Sequence, residues 1–248
     1  EEAKGRIVDL QTPSGSTLRL GVIDLPSFYA DTSDQSGGGR SATADVARLL
    51  TKLEAEKVRG IVLDLRRNGG GSLKEAITLT GLFIKRGPVV QTRGPTGDVE
   101  VDADTDPSVA YDGPLILLTS RFSASASEIL AGALKDYGRA VLVGDSSTFG
   151  KGTVQSILPL ARVMDQSHLV HAYDPGALKM TIRKFYRPSG ASTQLRGVAS
   201  DIVLPSTSDF SDVSESTLKD PLPWDTVKPA PYDRVNRVAP YLALLRTK

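Results

Sequence analysis

Three short apolar runs, each followed by a polar or glycine-rich turn and then by residues at helical spacing, limit what this chain can fold into. Leu18–Leu25 (LRLGVIDL) ends at Pro26, runs into a polar, glycine-rich loop (DTSDQSGGGR), and is followed by Val46, Leu49, Leu50 and Leu53, which share one face of a helix predicted over Ala44–Glu56. Ser41 or Thr43 can cap that helix. Val58–Leu65 (VRGIVLDL) leads through Arg66-Arg67-Asn68-Gly69-Gly70-Gly71 to a second helix over Ser72–Ile84. Leu115–Leu118 leads through a serine-rich turn to a third helix, over Glu128–Lys135, and Ala140–Val143 reads as the next strand. The Ile61-Val62-Leu63 core suits a strand buried on both faces. Strands alternating with helices of this length predict a layered α/β domain.

Two further strands, Pro88–Thr92 and Val99–Val101, flank a turn at Gly94–Gly97. After Val154 the pattern changes to strands at Leu169–Ala172, Ala177–Tyr186 and Val198–Val203, separated by polar turns. From Pro205 onward Ser, Thr, Asp and Pro dominate, and an irregular arm with a short helix near Val238–Leu245 is expected.

The turn before the third helix carries Ser123, Ser125 and Ser127, alternating with alanines. A strand-to-helix turn can expose one hydroxyl at the end of a sheet while helix N–H groups point toward it, which suits acyl transfer. The same residues also suit a plain helix N-cap, and Ser125 and Glu128 have capping-box spacing. The GxSxG elbow is absent, and the local pattern does not choose among the three serines. Downstream, Lys151 sits between Gly150 and Gly152. A serine hydroxyl needs a neighbouring base, and a lysine serves only when burial, here beside Phe149, lowers its pKa. Otherwise Lys151 is an ordinary solvent-facing lysine. Gln155, at the start of the strand TVQSI, can hold a lysine amine or be an unremarked strand residue. The glycine run at Gly69–Gly71 can turn backbone N–H groups into a cavity, or be only a flexible turn. Asp64 and Arg66 are read as a structural pair across it.

Composition closes other routes. There is no cysteine, so a thiol nucleophile, disulfides and thiolate metal sites are excluded. The two histidines, His168 and His171, have a spacing that does not place both rings on one strand face, so no metal site is expected. Asp102, Asp104 and Asp106 lack the glycine and distal glutamate of a calcium loop and read as an acidic turn. GDSSTFGKG is not a phosphate-binding loop. A net charge of +1 without a basic patch gives no nucleic-acid footprint. No span approaches the roughly 18 apolar residues of a membrane helix. Trp224 reads as packing for the arm. A start at EEAKGRIV, without Met, is read as the interior of a longer product.

The segments DLRRNGGG (Asp64–Gly71), RFSASASEIL (Arg121–Leu130), KDYGRAVLVG (Lys135–Gly144), TFGKGTVQ (Thr148–Gln155) and RKFYRPSGASTQLRGVASDIVLP (Arg183–Pro205) together resemble, in order, the C-terminal processing peptidases. These are also called tail-specific proteases and use a Ser-Lys mechanism. The bacterial periplasmic tail-specific (Prc) subgroup is the nearest in pattern. The resemblance implies Ser125 as nucleophile, Lys151 as general base and Gln155 as the residue that orients it. It implies an oxyanion hole from the N–H groups of Ala126 and Gly71, with Gly70 as the alternative donor. No metal or organic cofactor is needed. It further implies an α/β fold with a spiral β-α-β core of the Clp protease and crotonase-like type and a β-rich C-terminal extension. On this reading residues 1–205 form the peptidase core, without a PDZ domain, and 206–248 the arm. The expected partners are polypeptides with apolar C-terminal tails and an adaptor or PDZ domain outside this chain. The expected location is the periplasm. The alternative is a weak or inactive peptide-binding scaffold that retains the core. It is motivated by the missing PDZ sequence and by a lysine loop, Asp145-Ser146-Ser147, one residue longer than the family pattern.

Overall fold

The computed structural model describes residues 2–31, 40–166 and 173–247. His168, His171, the strand expected at Leu169–Ala172 and residues 32–39 of the glycine-rich loop lie outside the described residues.

The chain opens with a hairpin of β1 (Lys4–Gln11) and β2 (Thr17–Asp24), paired from Lys4↔Asp24 to Gln11↔Thr17. The helix α1 (Ala42–Ala55) follows, with Ser41 as its N-cap accepting from the Ala44 N–H, and leads to β3 (Ile61–Asp64). Ser72 caps α2 (Leu73–Gly81). Then come β4 (Gly87–Arg93), β5 (Val99–Asp104), β6 (Leu115–Thr119), α3 (Ala126–Asp136) and β7 (Val141–Gly144). The remaining elements are β8 (Thr153–Pro159), α4 (Leu160–Gln166), β9 (Ala177–Tyr186), β10 (Ile202–Val203) and α5 (Ala239–Arg246). Two short 3-10 turns, Thr207–Phe210 and Glu215–Thr217, precede α5.

These strands form two sheets. The larger has the order β1-β2-β3-β6-β7-β10; β1 is antiparallel and every other neighbouring pair is parallel. The smaller has the order β5-β4-β9-β8 and is antiparallel throughout. This topology corrects the expected spiral core of the Clp protease and crotonase-like type. It also corrects the β-rich extension: β8 and β9 do not trail the body but join the β4–β5 hairpin as one sheet. The physical reason is a long-range pairing: the β4–β5 hairpin leaves one edge of β4 open, and β9 takes it at Gln91↔Tyr186 to Arg93↔Lys184, carrying β8 with it.

Ile23, Leu25, Ile61, Leu63, Leu65, Leu117 and Leu142 fill the core beneath α1, α2 and α3. Burial along β3 alternates: Ile61 and Leu63 are buried, whereas Val62 is only partly covered, so β3 is not closed on both faces. Nearly every residue of α3 is buried, which its small side chains, Ala126, Ala131, Gly132 and Ala133, permit by letting the helix lie close to its neighbours. The consequence for function lies in strand order. β3, β6 and β7 are adjacent and parallel, so the turns leaving their carboxyl ends meet at one edge of the sheet. Those turns carry the glycine run, the serine cluster and the lysine loop.

Candidate active site

The serine turn separates its three hydroxyls by what they bond. Ser123 is fully buried; its Oγ donates to the Leu65 carbonyl at 2.8 Å and accepts from the Ser120 N–H at 3.0 Å. Ser127 is fully buried, and its Oγ donates to the Asn68 carbonyl at 2.8 Å. Ser125 is half-buried and heads α3 in a capping box with Glu128; among the described residues its Oγ bonds to no group outside that first turn. Its backbone stands at φ 56° and ψ −113°. That positive φ is costly for a residue with a Cβ and is held by the surrounding structure. The turn thus aims one hydroxyl outward, as a nucleophile elbow does, without the GxSxG pattern.

The glycine run lies directly against this turn. A Cβ on Gly70 would stand 2.8 Å from Ser125 Cβ and 2.9 Å from the Ala124 carbonyl oxygen, so only glycine fits. The buried Asn68 joins the two turns: its carbonyl accepts from the Ala124 N–H at 3.2 Å as well as from Ser127. Its side chain donates to the Leu25 carbonyl at 3.0 Å and accepts from the Gly70 N–H at 2.9 Å. The Gly70 N–H is therefore engaged. Among the described residues no protein group accepts from the N–H of Gly71 or of Ala126, the first residue of α3. Arg66 and Asp64 pair at 2.6 Å across the start of the turn, as expected of a structural pair.

The lysine loop is tied to the same place. The Phe149 N–H donates to the Ser123 carbonyl at 3.0 Å. The Lys151 Nζ donates to Gln155 Oε1 on β8 at 3.0 Å. Burial lowers the Lys151 pKa from its ordinary value; the positive charge of Lys179 lowers it further, against an opposing pull from Glu215 and Glu128.

Glu128 is the residue that sequence reasoning did not assign to the site. It is fully buried on α3. Its Oε1 accepts from Thr148 Oγ1 at 2.6 Å and the Gly150 N–H at 2.8 Å; its Oε2 accepts from the N–H groups of Ser125 at 2.8 Å and Lys151 at 2.9 Å. Because one oxygen takes both of the latter bonds, the backbone nitrogens of Ser125 and Lys151 are no more than 5.7 Å apart, the sum of the two lengths. Burial pushes the Glu128 pKa up to about 7, against the lowering pull of the four donors. The capping-box spacing Ser125–Glu128 was visible in the sequence; the reach to the lysine loop was not.

A cavity of about 400 Å³ opens at the lysine, lined by Lys151, Gln155, Phe149 and residues of the 215–222 segment. Among the described residues no group of three or more Asp, Glu or His side chains gathers to hold a metal ion.

The sequence profile described as "Peptidase family S41" matches residues 19–204, three-quarters of the chain. The chain belongs to peptidase family S41, the C-terminal processing or tail-specific proteases. A second profile, "C-terminal domain of tail specific protease (DUF3340)", matches residues 208–248. The S41 chain is similar to the tail-specific protease of Haemophilus influenzae, 43% identical over 90% of this chain and 30% of the relative. It is also similar to the carboxy-terminal processing protease CtpB of Bacillus subtilis, 36% identical over 83% of this chain and 38% of the relative. It thus spans about a third of the length of the relatives it matches. Among solved structures, it resembles a photosystem II D1 C-terminal processing protease, with a TM-score of 0.64 and 27% identity over 82% of this chain and 48% of that one. Mature CPAF shares the fold at a TM-score of 0.64, with 15% identity over 98% of this chain and 53% of that one. These S41-type likenesses stand in place of the expected crotonase-like spiral.

Proposed function

We propose that this chain is the catalytic core of a serine endopeptidase that hydrolyses peptide bonds through an acyl-enzyme formed on Ser125. Neutral Lys151 takes the proton from Ser125 Oγ as that oxygen bonds to the scissile carbonyl carbon. Gln155 Oε1 holds the amine in position. The N–H groups of Gly71 and Ala126 face the developing oxyanion, and because the Gly70 N–H is engaged by Asn68, Gly71 is the better donor. The protonated Lys151 gives its proton to the leaving nitrogen as the C–N bond breaks. A water deprotonated by Lys151 then attacks the acyl carbon and restores the Ser125 hydroxyl. Burial of the lysine serves this chemistry, since only the uncharged amine is a base.

One observation carries the reading. Ser123 and Ser127 commit their hydroxyls to the buried carbonyls of Leu65 and Asn68, Ser125 Oγ bonds to nothing beyond its own helix turn, and a single buried carboxylate oxygen holds the Ser125 backbone beside that of Lys151.

Residues 1–205 are taken as the core and 206–248 as an arm. The substrates are polypeptides recognised through apolar C-terminal tails, captured by a PDZ domain or adaptor outside these 248 residues. The setting is the periplasm, with which a chain lacking cysteine is compatible. The test is a cleavage time course on a defined protein with and without an apolar C-terminal tail, with all products mapped. Wild type is expected to cleave the tailed protein faster, and Ser125→Ala and Lys151→Ala to leave it intact. Equal cleavage by wild type and Ser125→Ala would refute the mechanism. Binding without cleavage by wild type would favour the scaffold alternative.

A further inference from the structure

The cavity at Lys151 has a wall that the catalytic reading does not use. Glu215 and residues 218–222, from the arm, line it together with Lys151 and Gln155. This segment is fixed at both ends. At one end the Glu215 N–H donates to the Phe149 carbonyl at 3.0 Å, and the Glu215 carboxylate accepts from Gln194 Nε2 at 3.1 Å. Gln194 is itself fully buried and accepts from the Gly152 N–H at 2.8 Å, so the arm is tied to the lysine loop on both sides of Lys151. At the other end Lys184 Nζ donates to the Pro223 carbonyl at 2.8 Å, the Trp224 indole N–H donates to the Ser192 carbonyl at 2.9 Å, and the Arg196 guanidinium stacks 3.7 Å above the Trp224 ring.

Between these anchors the chain does not bury its apolar side chains. Leu218 is 52% exposed and Leu222 44% exposed, and both line the cavity with Pro221 and Phe149, with the charged Lys219 and Asp220 that lie between them in sequence, and with Thr153 and Thr181. The segment is hydrogen-bonded at both ends and leaves its two leucines open in the cavity that holds Lys151. Pre-organised apolar side chains of this kind select a ligand at small entropic cost.

Resting on the peptidase reading above, we propose that Leu218 and Leu222 form a specificity wall. They contact an apolar side chain of the bound polypeptide that enters the cavity beside Lys151, while Glu215 and Gln194 hold the wall in register with Lys151. The arm then takes part in substrate selection.

The experiment uses the full chain and a peptide series in which each position from three before to three after the cleaved bond carries Leu or Asn. Wild type is expected to prefer Leu at one or more of these positions by about tenfold or more in kcat/KM, the scale on which apolar pockets discriminate. In Leu218→Asp and Leu222→Asp that preference is expected to fall below about threefold at the same position and to stay unchanged elsewhere. The milder pair Leu218→Ala and Leu222→Ala is expected to move it in the same direction, and serves if an Asp variant does not fold. Leu218→Trp, which narrows the cavity, is expected to shift preference toward Ala over Leu. A variant that cleaves with the wild-type Leu/Asn ratio at every position overturns the wall and leaves the peptidase reading standing. Wild type that cleaves no peptide, or no faster than Ser125→Ala, overturns both.

Discussion

Glu128 Oε2 accepts the backbone N–H of Lys151 at 2.9 Å, joining the first turn of α3 to the lysine loop 23 residues downstream. The same oxygen holds the Ser125 N–H, so the two sides of the proposed dyad share one buried acceptor. Removing it leaves several buried donors without partners. Each such donor costs about 1–3 kcal/mol, so Glu128→Ala is expected to lose about 3 kcal/mol or more in denaturant unfolding. Glu128→Gln keeps the shape and is expected to lose less stability while still slowing acylation of Ser125, because in either orientation its NH₂ faces at least one backbone N–H, of Gly150 or of Ser125 and Lys151, from which it cannot accept. Wild-type acylation rates in both variants would remove Glu128 from the account.

The position of Glu128 also fixes a sign in the pH dependence of stability. Burial raises its pKa in the folded state to about 7, above the ordinary carboxylate value. Between that ordinary value, about 4.3, and 7 the folded state binds more protons than the unfolded one. The contribution is fully present below the lower limit and is lost as pH rises through about 7. Stability is therefore expected to fall with rising pH in this window by at most about 1.4 kcal/mol per unit from this group. Glu128→Gln removes that slope. Parallel wild-type and Glu128→Gln plots of unfolding free energy from pH 4 to pH 8 would contradict the assignment.

Lys179 lowers the Lys151 pKa through its positive charge, second to burial itself. Lys179→Glu is expected to raise the Lys151 pKa. The alkaline rise of kcat/KM, which follows formation of the neutral amine, then moves to higher pH. Lys179→Met is expected to move it the same way by less. A profile unchanged in both variants would show that Lys151 does not titrate in the observed limb.

The three serines are separable by experiment. Ser123→Ala removes a buried bond to Leu65 and is expected to cost about 1–2 kcal/mol while leaving Ser125 open to acylation. Ser125→Ala is expected to abolish acylation at a stability cost no greater than the loss of one helix cap, about 0.5–2 kcal/mol, since its Oγ bonds to nothing outside the first turn of α3. The opposite pattern would place the nucleophile at Ser123.

Gly70→Ala tests the contact between the glycine and serine turns. The added Cβ meets Ser125 Cβ at 2.8 Å, and Gly70 has φ 109°. A stability loss of about 1–3 kcal/mol is expected from the backbone alone, with a larger fractional loss of acylation. A fully active, fully stable Gly70→Ala would mean the two turns are not held this closely.

Much of this was legible in the residues. Leu18–Leu25, Leu115–Leu118 and Ala177–Tyr186 declare themselves by apolar content between turn residues, and the strands fall there. The helices begin where Ser41 and Ser72 can cap. The pairing of β4 with β9 was not legible, because those strands are far apart in sequence and either edge of β4 satisfies the same alternation. That gap underlies the correction of the spiral core. Nor could local pattern choose among Ser123, Ser125 and Ser127: the choice depends on carbonyls of Leu65 and Asn68, some 60 residues upstream. Glu128 showed its capping role by spacing, whereas its bond to Lys151 depends on β6 and β7 being neighbours. The site follows from sheet order, which single segments do not encode.

The most direct measurement is site-resolved acylation by a small serine-directed probe, read by mass spectrometry in wild type and in Lys151→Ala across pH 6 to 10. A single adduct on Ser125 in wild type, rising with pH, and none above background in a folded Lys151→Ala would match the proposed dyad. Labelling of Ser125 at the wild-type rate without Lys151, or an adduct on Ser123 or Ser127 instead, would contradict it.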